Sequence, residues 1–187
     1  MDARCRDGNS QPDSPEYYAH LRALKQIDPE LAYLALLTRE GVKPLSRWEK
    51  PLDDDGLRLL ENMGLMTKQV RRSVTTGSEV IETVFSLMPA FIGFYEQSFA
   101  DAPIDKSAAT QRIEGFLFGY PPCCIEQYVR KPYTPNGLPD QDRMMLFHWA
   151  CPACKITPVL LARKASEKLF LAEGRAKRSA SLKPMPN

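Results

Sequence analysis

Four of the five cysteines in this chain lie between residues 123 and 154. They form the vicinal pair Cys123-Cys124 and the Cys-x-x-Cys pair Cys151 and Cys154. A Cys-x-x-Cys pair with a second Cys or His group roughly two dozen residues away is how a chain grips a soft or borderline metal. One of the two histidines, His148, stands three residues before Cys151. If these residues meet, the chain between them must loop out and return, and that demand constrains the fold more than any other feature. Cysteine also packs as a small hydrophobe. Four in one stretch, two of them at ligand spacing, favour a site over plain core.

Composition narrows the class. Hydrophobic residues make up 43% and charged residues 26% of the 187, ordinary for a globular protein. The net charge of +2 supplies no field that would drive the chain to nucleic acid or a membrane surface. No apolar run approaches the roughly 20 residues a bilayer requires. The polar start, Met1 to Pro15, lacks the apolar core of a secretory signal, so a cytoplasmic, reducing setting is expected. There, clustered cysteines bind metal or do thiol chemistry more often than they form permanent disulfides.

Two ordered blocks are expected between a disordered lead, residues 1–14, and a basic flexible tail, residues 173–187. In the first block, residues 15–88, Tyr17, Leu21 and Leu24 recur at helical spacing, and Pro29 opens a second helix stopped by Gly41. A third helix follows the acidic turn Asp53-Asp54-Asp55 and ends at Gly64. Val70, Arg72 and Val74, then Val80, Glu82 and Val84, alternate with their neighbours around Thr75-Thr76-Gly77-Ser78, which reads as a β-hairpin. Helices followed by a hairpin suggest a winged-helix-like unit. A groove-reading helix needs basic and amide side chains near its start, and three aspartates would repel phosphates, so nucleic acid is an unlikely partner.

The second block, residues 89–172, is expected to be all-helical and Cys-rich. Phe91, Phe94, Tyr95 and Phe99 form an aromatic core stripe. Asp105 is a candidate cap for a helix through Ile113 and Leu117 that Gly119 ends. Pro121-Pro122 then restarts a short helix with Cys123 and Cys124 in its first turn. A helix through Met144, Met145 and Phe147 leads to His148, and Thr157-Pro158 open a last one. The fold class is thus mainly α with one β-hairpin.

Thiolate-rich ligation suits zinc or an iron–sulfur cluster over magnesium or calcium. The candidate ligands are Cys123, Cys124, His148, Cys151 and Cys154. Successive helical side chains diverge by about 100°, so one of the vicinal pair is a candidate for a free thiol. Cys124 is the preferred ligand and Cys123 the candidate reactive, catalytic thiolate. Cys151 and Cys154 also resemble a thiol-redox pair, but no strand precedes them as a βαβ redox motif requires.

The run Gly119-Tyr120-Pro121-Pro122-Cys123-Cys124 resembles an uncharacterised prokaryotic domain family that carries a Gly-Tyr-Pro-x-Cys-Cys element and a downstream His/Cys cluster. The resemblance spans Phe116 to Cys154. It implies that Cys123, Cys124, His148, Cys151 and Cys154 belong to one site, and it implies no particular reaction. The function expected is that of a metal-binding protein, a small enzyme or an accessory protein in cofactor or metabolite chemistry. The alternatives are a winged-helix regulator sensing metal or redox state, and a thiol-redox protein.

Overall fold

The computed structural model describes residues 14–74, 77–135, 137 and 151–154. The expected lead through residue 13, the tail, the Met144–Phe147 helix with His148, and the Thr157-Pro158 helix lie outside the described residues. Within them the chain runs α1 (Pro15–Ile27), α2 (Pro29–Arg39), β1 (Leu45–Trp48), α3 (Asp54–Asn62), β2 (Met66–Ser73), β3 (Glu79–Ser86), α4 (Pro89–Phe99), α5 (Ala108–Leu117), α6 (Pro122–Arg130) and a 3-10 turn (Pro152–Cys154).

Helix starts follow side-chain chemistry. Ser14, Asp28, Asp53 and Ser107 each accept a backbone N–H from the first turn they precede. Pro15 and Pro29 occupy first-turn positions where a missing N–H costs nothing. Ser107, not Asp105, caps α5. Asp105 instead accepts the Ser107 N–H at 3.1 Å and so braces the residue that caps.

The architecture is mixed α/β rather than mainly α with a lone hairpin. The expected hairpin forms as β2 and β3, but β3 also pairs antiparallel with β1, giving the sheet order β1-β3-β2. β1 escapes sequence reading because three of its four residues, Leu45, Ser46 and Trp48, are buried, so no period-2 alternation marks it. Its buried hydroxyl is satisfied locally, since Thr38 Oγ1 and Ser46 Oγ lie 2.7 Å apart.

The sheet separates two cores. Phe85 and Trp48 face the helices α1, α2 and α3, against Tyr17, Leu21, Leu31, Leu60 and Met63. Val84, Leu45 and Val70 face the other way, against Ile92, Tyr95 and Phe99 of α4 and Leu117 of α5. Adjacent strand residues point to opposite faces, which is how Val84 and Phe85 serve different cores. The aromatic stripe of α4 divides accordingly: Tyr95 and Phe99 are buried, whereas Phe94 is 41% exposed.

The second core holds charge. Arg72 and Glu82 are 1% and 2% exposed. Arg72 Nη1 lies 3.1 Å from Glu114 Oε1 and 3.7 Å from Glu82 Oε2. Arg47 of β1 reaches the same Glu114 oxygen at 2.5 Å, and Tyr95 Oη donates to Glu82 at 2.5 Å. These bonds fasten α5 to the sheet, and α5 leads directly into the cysteine helix.

Candidate metal centre

The first half of the site is built by the α5–α6 corner. Gly119 ends the α5 segment at φ +75°, a left-handed conformation that suits glycine. A Cβ there would also sit 2.5 Å from Pro44 Cδ. Tyr120 N–H then closes onto Gly115 O at 2.9 Å. Gly115 has a second task, since a Cβ on it would meet Ile125 Cγ1 at 2.7 Å, so its absence lets α6 lie close on α5. Across that contact Arg112 clasps Glu126 through both carboxylate oxygens, at 2.7 and 3.0 Å. Pro121 and Pro122 aim the chain into α6, and Cys123 and Cys124 fall in its first turn.

The second half is a single tight turn. Cys154 N–H donates to Cys151 O at 3.0 Å, which curls Pro152–Cys154 into a 3-10 turn and folds the two thiols toward each other. This turn docks on α6 through the Cys151 N–H, which donates to Cys124 Sγ at 3.3 Å.

The four sulfurs of Cys123, Cys124, Cys151 and Cys154 all lie within 4.8 Å of one another. Cys123 Sγ and Cys154 Sγ approach to 3.2 Å. None of the four is in a disulfide. Cys124 and Cys151 are buried on the inner side, Cys154 is half-buried and Cys123 is exposed. Although the vicinal pair differs in exposure, it does not divide into one thiol in the cluster and one outside it. Both reach the cluster, because it lies beyond the end of the helix, where the side chains of the first turn point. His148 lies outside the described residues.

The thiols of Cys124, Cys151 and Cys154 shift one another. Burial pushes the Cys124 thiol up, with the Cys151 N–H acting against it. Cys154 is pushed up to about 11, first by its hydrogen bond with Cys123 and then by burial. Burial also works against the Cys151 thiolate, but the Ala153 N–H and the surrounding thiols outweigh it and shift Cys151 down. Negative charge on Cys151 in turn raises Cys124 and Cys154. A dication reverses that order by pairing with every thiolate at once. Four sulfurs at these separations can hold a metal ion.

A second polar cluster, Arg47, Arg72, Glu82 and Glu114, went unassigned in the sequence. Its signal was there, since Arg72 and Glu82 occupy the same alternation phase as Val70 and Val84 and so had to point inward.

No helix among the described residues is long and apolar enough to cross a membrane. Compared with models of protein families, with curated proteins and with solved structures, the chain matches none.

Proposed function

We propose that this is a zinc-binding protein whose Cys123, Cys124, Cys151 and Cys154 form one closed tetrathiolate site. The observation that carries the reading is the mutual approach of four sulfurs to within 4.8 Å. A zinc–sulfur bond of about 2.3 Å implies sulfurs about 3.8 Å apart around a tetrahedron. The observed separations bracket that value, from 3.2 Å between Cys123 and Cys154 up to a limit of 4.8 Å for the set, so changes of about 1 Å or less bring the sulfurs to it. An iron–sulfur cluster distributes its cysteines over two or four irons and spreads the sulfurs further, so it fits this set less well.

A closed set of four protein ligands leaves no open position for substrate, so the metal's role is structural. It ties α6 to a turn more than twenty residues later in the chain. Cys123 is then a ligand and not a free nucleophile, and His148 is not required to complete the set. The resemblance of Gly119–Cys124 to the Gly-Tyr-Pro-x-Cys-Cys family agrees with grouping these cysteines in one site. A cytoplasmic setting keeps the thiols reduced for metal.

The regulator reading draws support from α3 followed by the β2–β3 hairpin, the end of a winged helix. Against it, Asp53, Asp54 and Asp55 are all exposed at the start of α3, where DNA phosphates would lie. Salt-sensitive binding to random duplex, lost on deleting residues 53–87, would favour it.

Anaerobic purification followed by metal analysis tests the zinc reading. The expected result is a colourless protein with about one zinc per chain, lost in Cys151→Ser together with the thermal stability it confers. A brown protein absorbing near ~400 nm would replace zinc by a cluster. Free alkylation of Cys123, Cys124, Cys151 and Cys154 with no metal present would end the metal reading and leave thiol-redox chemistry, with Cys123 and Cys154, 3.2 Å apart, as the pair.

A further inference from the structure

Away from the cysteines, Lys43 is 6% exposed and, among the described residues, forms no ion pair with any carboxylate. The other deeply buried cation, Arg72, has two. Lys43 Nζ donates to Phe118 O at 3.1 Å. It also lies 4.7 Å from the centre of the Tyr120 ring and 5.5 Å from that of Phe118, within cation–π range. An ammonium has three N–H groups, and one carbonyl leaves two without an oxygen acceptor. A buried charge in that condition is costly unless a counter-ion is supplied.

The space beside Lys43 can supply one. Its side chain lines a pocket of about 130 Å³. One water needs only about 10–15 Å³ measured in this way, so the pocket has room for a small organic molecule. Leu34, Phe118 and Tyr120 give it apolar walls, and Arg47 adds positive potential. Arg47 is itself paired with Glu114 and Glu49, so Lys43 is the cation left to meet a ligand. The remaining lining residues, Glu30 and Glu49, are both exposed acids.

We propose that this pocket binds a small organic monocarboxylate, its carboxylate against Lys43 and its carbon body against Leu34, Phe118 and Tyr120. The mixed lining selects the class. A single negative charge satisfies Lys43, whereas a dianion such as phosphate meets added repulsion from Glu30 and Glu49. The apolar walls give a carbon chain something to bury against and give an inorganic ion nothing.

Binding is coupled to protonation. Burial, then the neighbouring Arg47, hold the Lys43 amine down to about 7. The charged and titratable groups around it are Glu30 of α2, Arg47 of β1, Glu49, Tyr120, and Glu114 beyond Arg47. A bound carboxylate favours the ammonium, so binding takes up a proton and weakens above pH 7 by up to tenfold per pH unit, or about 1.4 kcal/mol.

The test is NMR titration of the full chain as purified with sodium propionate, sodium acetate and inorganic phosphate at pH 6.5 and 8.5. Saturable shifts at Lys43, Phe118 and Tyr120 are expected with propionate. They should be weaker with acetate, weaker with phosphate and weaker at the higher pH, and at least tenfold weaker in Lys43→Gln. A ¹³Cε titration of Lys43 in the unsubstituted protein, with and without propionate, should show its pKa rising on binding, and it decides the matter should the variant not fold. No saturable shift with propionate, an unchanged Lys43 titration, equal affinity in a folded Lys43→Gln, or phosphate binding tighter than propionate would each overturn the proposal. The zinc reading stands or falls separately, on metal content.

Discussion

Replacing Glu82 by Gln removes one negative charge from the buried cluster and leaves its shape nearly unchanged. In the native protein two guanidinia, Arg47 and Arg72, face two largely buried carboxylates, Glu82 and Glu114. Glu49 also touches Arg47, but it is 61% exposed and screened by water. Without Glu82 the cluster carries an uncompensated positive charge beside Arg72, which is 1% exposed. Removing one partner of a buried pair costs about 3–5 kcal/mol. Glu114 keeps its contacts to both arginines, at 2.5 and 3.1 Å, and is itself 20% exposed, so the lower end, about 3 kcal/mol, is expected. The internal control is Glu79→Gln. Its pair with Arg71 spans 3.6 Å between side chains more than half exposed, and its loss should cost about 0–1 kcal/mol. Urea unfolding of both variants beside the parent gives the comparison, read as midpoint shifts at unchanged slope. A Glu82→Gln cost no larger than that of Glu79→Gln would refute the claim that Glu82 compensates the buried arginines of the second core.

Two glycines should respond oppositely to alanine. Gly119→Ala meets both a positive φ and Pro44 Cδ at 2.5 Å, so a loss of about 1–3 kcal/mol in chemical denaturation is expected; a neutral result would mean the α5–α6 corner tolerates another conformation. Gly93→Ala, inside α4 with nothing within 4 Å of the added Cβ, should instead stabilise by about 0.5–1 kcal/mol. Lys43 makes stability pH-dependent. Its folded pKa of about 7 lies below its ordinary 10.5, so between those values the unfolded chain holds a proton that the folded chain lacks. Stability should therefore rise with pH across that window, by up to about 1.4 kcal/mol per pH unit from this group. Denaturation midpoints of Lys43→Met compared with the parent at pH 7, 8 and 9 isolate the increment, and parallel profiles would contradict it.

The sequence by itself determined the local elements and the membership of the cysteine group. Ser14-Pro15, Asp28-Pro29 and Asp53 start helices through their own side chains and ring geometry, and glycines at positive φ follow three of the helix ends, so these features need no partner far along the chain. The β2–β3 hairpin was legible because its alternation is local, and the grouping of four cysteines because metal-ligand spacing is a property of the chain. What only the tertiary structure decided is what depends on distant neighbours. β1 is a strand because β3 offers it a ladder and two cores bury its sides, neither of which its four residues encode. Cys123 and Cys124 both join the cluster because it lies off the end of α6, where the about 100° between successive helical side chains does not separate them. Lys43 became a site candidate only when the α5–α6 corner laid Phe118 and Tyr120 over it. Burial, which sets the cost of its charge, is made by residues more than seventy positions away.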